Sequence, residues 1–254
     1  MEYFVREDSI VREIWGKSDT ILFIFAGAAA EFALNKAVDW LYYTGKLPAD
    51  PLGRLFSTVA YARDIVFSPQ TEAEKAIRKI NNIHGTLEKS RGYPIPGWAY
   101  RDVLYMLIDY SIRSYELLER KLCREEKEEV FSVFAKVGHH MNISHLPEDY
   151  DEWQSERWLH MRNDLEVSDF TRDLFCQYKK HLGLTRYFVL LQSQLLVLPP
   201  MVNELLNPGR ISLFKPVIIL YKVSRLMRMD VVIKSLILPS GYKTRIKELD
   251  LIPG

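Results

Sequence analysis

Apolar residues recur at steps of three and four along most of this chain, and no alternating run of the kind a half-buried strand needs persists. Gly and Pro fall mainly between the periodic segments. The pattern predicts an all-α fold, a single multi-helix domain over residues 1–254.

The first helix is expected from Ser18, a plausible N-cap, through the AGAAA stretch to Tyr43, closed by Gly45 and Pro48. A second opens at Asp50-Pro51, where Asp caps and Pro takes the first turn, and runs to Phe67. Pro69 breaks the chain. A third starts after Thr71, with Glu72 and Glu74 favourably placed at its positive end. Its apolar positions are Ala73, Ala76, Ile77, Ile80, Ile83 and Leu87, and His84 falls on the same face. Beyond the GYPIPG loop come helices at about 99–122, 125–137, 149–165, 169–181 and 185–198. The stretch from Phe214 to Pro239 reads as a helical pair, interrupted by Pro216, Lys222, Arg225 and Arg228.

Composition narrows the classes. Apolar residues make up 48% and charged residues 26%, ordinary for a soluble globular protein, and the net charge of +1 offers no field for nucleic acid. Cys123 and Cys176 have no ligand-like spacing and read as reduced structural thiols. The N-terminus mixes acids and bases without an apolar h-region, and the apolar run from Thr20 to Ala30 meets Glu31, Asn35 and Lys36 at once. The expectation is a soluble, cytoplasmic protein. From Pro208 onward there are nine Lys or Arg against three Asp or Glu. This basic, apolar C-terminal portion suits weak contact with an anionic membrane surface, or a docked helix with a solvated charged face.

Candidate chemistry is sparse. An imidazole on an apolar face, as at His84, serves either as a core group bonded to a carbonyl or as a ligand. Gly85 removes a side chain beside it, and the small patch Ala26 to Ala30, with Gly27 in it, admits close approach by something flat or by another helix. On the second helix Arg54, Thr58, Tyr61 and Ile65 form a stripe next to the core stripe of Leu55, Val59, Ala62 and Val66. Arg54 and Thr58, one turn apart, could fix a carboxylate, or Arg54 could be tied to a helix end or a surface acid. His139, His140 and His145 lie before Pro147 in an expected turn and lack zinc-site spacing. No phosphate loop, dinucleotide fingerprint or nucleophile elbow is present.

The segment DPLGRLFSTVAYARDIVFSPQTEAEKAIRKINNIHG resembles the core of the family that includes rubber oxygenase (latex clearing protein) and the membrane-bound oxygenase of mycophenolic acid biosynthesis. The shared pattern falls on Asp50, Pro51, Leu52, Arg54, Leu55, Thr58, Phe67, Ala73 and Ile83-His84, with weaker similarity over about 15–165. The resemblance implies helices holding haem b, with His84 as proximal iron ligand and Arg54 and Thr58 near the haem. It implies an oxygenase acting with dioxygen on a small apolar, possibly unsaturated substrate of isoprenoid or lipid type. Gly27 and Gly85 are the expected small residues at the porphyrin, and Glu31 and Asp39 are candidates for a distal base unless a neighbouring cation pairs with them. The chain departs from the family at Ala37-Val38 (His-Pro in many members), at Leu107 (a histidine) and at Ser57 (the distal lysine of rubber oxygenase). A non-catalytic haem binder and a cofactor-free helical interaction protein remain the alternatives.

Overall fold

The computed structural model describes residues 2–43, 45, 49–207 and 210–226. Within them the chain forms eleven helices. These are α1 (Ile10–Trp15), α2 (Ser18–Phe32), α3 (Asp39–Tyr43), α4 (Pro51–Phe67), α5 (Gln70–Arg91) and α6 (Gly97–Leu118). After them come α7 (Arg124–His140), α8 (Tyr150–Asn163), α9 (Asp169–Val197), α10 (Pro200–Leu206) and α11 (Lys215–Leu226). Among the described residues there is no named strand, and the all-α expectation holds. No helix of the described residues is long and apolar enough to cross a membrane.

The centre is the pair α2 and α6. A Cβ at Gly27 would sit 3.0 Å from Cγ of Tyr110 and closer still to Cδ1 and Cε1, so only glycine lets that fully buried ring lie against α2. Trp15, at the end of α1, is fully buried and donates its indole N–H to Ser111 Oγ on α6 at 3.2 Å. α1 itself, capped by Ser9, was not expected from the pattern, being under two turns long.

α4 and α5 fold back on each other through Ser68 and Pro69. Asp50 caps α4 through the Gly53 N–H at 2.8 Å, with Pro51 in the first turn, as the sequence predicts. Arg12 donates to the carbonyls of Val66 and Phe67 at 3.3 and 3.1 Å, satisfying the otherwise unpaired end of α4. The N-terminal segment is laced to the same turn by Phe4 N–H to Ser68 O and Gln70 N–H to Glu2 O.

The expected helix from Ser18 to Tyr43 is two helices, α2 and α3. Asn35 ends the first: its side-chain oxygen accepts the Ala37 N–H at 2.8 Å, a local bond that competes with the helix. The backbone there pairs with 164–166 instead, Lys36 N–H to Asp164 O and Glu166 N–H to Leu34 O. By contrast, the break expected between 181 and 185 is real. Gly183 has φ +73°, a left-handed conformation that interrupts α9. His139 and His140 close α7 rather than occupying a turn, while His145 lies in the connection that follows. Cys123 and Cys176 are both free and exposed, so neither is a core thiol. Of the C-terminal helical pair, α11 is described and residues 227–254 lie outside the described residues.

Candidate functional site

Arg54 lies 13 residues before Phe67 on α4, and His84 lies 14 residues after Gln70 on α5. At 1.5 Å per residue both are about 20 Å from the turn joining the helices, so they face each other near the open end of the hairpin. The electrostatics agree: burial, and then the Arg54 charge, hold His84 below the usual imidazole range, with Glu88 opposing them. The imidazole is therefore neutral at pH 7 with a free lone pair.

His84 is half-buried, and its Nδ1 is enclosed without a hydrogen-bond partner. Its ring meets Tyr100 edge-on at 5.2 Å between centroids. The Tyr100 hydroxyl donates to Glu88 Oε1 at 3.2 Å, which also accepts the Ile95 N–H at 2.8 Å. A Cβ added at Gly85 would meet nothing within 4 Å, so the helix surface next to His84 is open there. Ile83, expected on the same apolar face, is 46% exposed. At 100° per residue it lies about 120° round from Ile77, whereas His84 lies almost over Ile77.

The Arg54 guanidinium donates to Ser57 Oγ at 3.3 Å and Thr58 Oγ1 at 3.4 Å, and both hydroxyls reach back to the Arg54 carbonyl. Among the described residues it has no carboxylate within ion-pair distance. Burial holds its pKa below the usual arginine value. An orphaned imidazole nitrogen and a guanidinium with no carboxylate partner among the described residues together fit a ligand carrying a metal and an anionic group. Two surface depressions of about 540 and 510 Å³ are lined by other residues, the first by Trp158 and Leu159 and the second by His139, His140 and Glu148.

The other candidates lie elsewhere in the fold. Gly27 faces Tyr110, and its small size serves helix packing rather than a cofactor. Glu31 is fully buried and paired with Arg157, Oε2 at 2.6 Å from Nη2, and it also accepts the Tyr110 hydroxyl at 2.7 Å. Its cation is thus Arg157, and both its oxygens are engaged. Asp39 is paired with Arg91 at 2.5 Å, and that guanidinium stacks on Trp40 at 4.2 Å and Tyr93 at 4.8 Å. This ties α3 to the end of α5.

The sequence pattern of the ER-bound oxygenase mpaB/B' and rubber oxygenase catalytic domain matches residues 15–225. The chain belongs to this family. No curated protein and no solved structure matches the chain. The catalytic-domain match spans α2 to α11 and includes the α4–α5 hairpin with Arg54, Thr58 and His84. It establishes an oxygenase catalytic domain. The positions at which this member departs from the family pattern are filled by packing: Ala37 and Val38 are buried, Leu107 packs on the main core, and Ser57 holds Arg54.

What the sequence did not reveal is a polar cluster inside this oxygenase fold. Arg157 on α8 is surrounded by Glu31 (α2), Asp109 and Asp102 (both α6), with Asp109 Oδ2 at 3.2 Å and Asp102 Oδ1 at 3.8 Å. Asp109 also pairs with Arg113 at 2.6 Å. Asp102 accepts the Asn35 amide on its other oxygen. Burial, then repulsion from Glu31, pushes the Asp102 carboxyl up to about 8 against the pull of Arg157, with Asp164 adding to the rise. The residue spacings 31, 102, 109 and 157 carry no common motif, so only the packed helices bring them together.

The sign of the resulting pH dependence follows. A carboxyl whose folded pKa exceeds its unfolded value binds its proton more tightly when folded, so its contribution is present at low pH and lost as pH rises through about 8. Between about pH 6 and about pH 9 the loss is expected to be about 3 kcal/mol. Asp102→Asn keeps an acceptor for Asn35 without the charge, and thermal unfolding of that variant should be flatter over this range than that of the wild type.

Proposed function

We propose that this chain is a haem b-dependent oxygenase acting on a small apolar, unsaturated substrate of isoprenoid or lipid type, with the iron carried by His84. The observation that carries the reading is the neutral, partly buried imidazole with an enclosed, unpartnered nitrogen, near a guanidinium that has no carboxylate within ion-pair distance among the described residues. When bound, haem supplies the redox chemistry that activates dioxygen. His84 would hold the iron through its lone pair. Arg54 would pair with a propionate, oriented by Ser57 and Thr58. Gly85 adds no side chain next to His84 on the helix surface, where a flat ring could lie. The two exposed free cysteines fit a cytoplasmic setting.

A second reading, a haem binder without catalysis, is favoured by one observation: Glu31 and Asp39, the candidate distal bases, are both engaged by arginines. Product formation from isoprenoid and fatty acid panels separates the two.

Protein expressed with a haem precursor should show a Soret band and about one haem per chain in a pyridine haemochrome assay. His84→Ala should abolish that stoichiometric haem while far-UV circular dichroism stays helical. Arg54→Ala should weaken haem retention roughly tenfold, the effect of losing a charged hydrogen bond. Full haem content in His84→Ala would remove His84 as the ligand.

A further inference from the structure

Eight of the sixteen large apolar side chains exposed among the described residues fall between Leu184 and Leu220. Three connections make them one surface. The Phe188 and Phe214 rings meet edge-on at 6.1 Å. Ser212 donates its hydroxyl to the Gln192 carbonyl at 2.9 Å, and the Leu213 N–H donates to Gln192 Oε1 at 2.7 Å. These bonds fix the strand of chain before α11 along the second half of α9.

α11 is turned in an unusual way. Its inward side is Phe214, Ile218, Tyr221 and Lys222, spaced at four, three and one, with the Tyr221 hydroxyl donating to Asp19 at 3.3 Å. Its outward side carries Val217, Ile219 and Leu220, exposed by 44, 67 and 69%, preceded by Leu213 at 67%. Water-facing aliphatics in that concentration are costly unless something covers them. Charge indicates what. Between residues 184 and 226 the sequence has five Lys or Arg and a single acid, Glu204. Arg210 and Lys215, both exposed, flank the outward aliphatics.

We propose that the face built by the second half of α9, the 210–214 segment and α11 docks on an anionic lipid bilayer. Ile219, Leu220 and Leu213 enter the interface between headgroups and acyl chains, while Arg210 and Lys215 meet lipid phosphates. The exposed charges that border the outward aliphatics of α11, Arg210 and Lys215, are both basic, and bulky aliphatics with a basic border suit a negatively charged lipid surface. The inference does not depend on haem, and its test does not read haem or activity.

The full chain is to be floated with vesicles of phosphatidylcholine alone and of phosphatidylcholine with phosphatidylserine. Binding to the anionic vesicles only, weakened by salt, is expected. Ile219→Glu with Leu220→Glu should abolish it, and Arg210→Glu with Lys215→Glu should lower the partition coefficient roughly tenfold or more. Lys89→Glu on α5, the same net charge change as Ile219→Glu with Leu220→Glu, should leave it unchanged. The substituted side chains are exposed, and unaltered circular dichroism checks that each variant is folded. Absence of wild-type binding to anionic vesicles overturns the proposal, as does full binding by the doubly substituted α11 variant. A concentration-dependent dimer that ignores vesicles and is lost in that variant would assign the face to a second copy of the chain instead, and also overturns it.

Discussion

Arg157→Met is expected to destabilise the fold by about 3–5 kcal/mol, the usual cost of removing one partner from a buried ion pair. The guanidinium is 3% exposed as a residue and is held in contact with Glu31, Asp109 and Asp102. Burial opposes its charge, but the carboxylates around it outweigh burial and raise its pKa well above the usual arginine value. Methionine matches much of the volume and none of the charge. Asp109 retains Arg113, and Asp102 is already inclined to keep its proton. Glu31 is therefore the group left without a cation, with only the Tyr110 hydroxyl as donor. Chemical denaturation should show the loss at pH 7, and Glu31→Gln in the same chain should recover a substantial part of it. If the double variant is no more stable than Arg157→Met alone, the stranded Glu31 charge is not the source of the loss.

Gly27→Ala is expected to cost about 3 kcal/mol, the upper part of the range for overpacking a core. In an exposed helix the same change would stabilise by about 1 kcal/mol, because alanine is the better helix former. Here the new Cβ would collide with the Tyr110 ring, which is buried and anchored through its hydroxyl to Glu31. The ring cannot swing aside without breaking that bond. In Gly27→Ala with Tyr110→Leu the collision is relieved, so the two losses should fall short of additivity by 1 kcal/mol or more in a double-mutant cycle. Additive losses would place the strain elsewhere.

These two changes probe one column of contacts, Gly27 to Tyr110 to Glu31 to Arg157, that joins α2, α6 and α8 inside the fold. Gly27 was expected at a porphyrin and Glu31 as a distal base, because small residues and a lone acid on an apolar helix are compatible with either role. One-dimensional spacing does not distinguish a glycine that faces a cofactor from one that faces a tyrosine 83 positions later. The distinction is made by the rotation of α2 about its axis, which packing against α6 sets.

The helical elements depend on local chemistry, and the sequence determines them well. The Asp50-Pro51 start of α4, the stop near Gly92 and the break at Gly183 all follow from capping, fixed φ and the left-handed region open to glycine. The Arg54–Thr58 pairing and the inward placement of His84 follow from the helical repeat, which acts over one or two turns. The end of α2 at Phe32 depends on backbone bonds to 164–166, and the exposure of the α11 aliphatics depends on which side of that helix Phe214 and Tyr221 anchor. The cluster around Arg157 likewise joins residues up to 126 positions apart. Such contacts carry no periodic trace in the chain, because burial and charge pairing act through space. The sequence by itself determined most of the helices and the pairing along the α4–α5 hairpin; only the tertiary structure decided which acids are already neutralised and which apolar side chains stand exposed among the described residues.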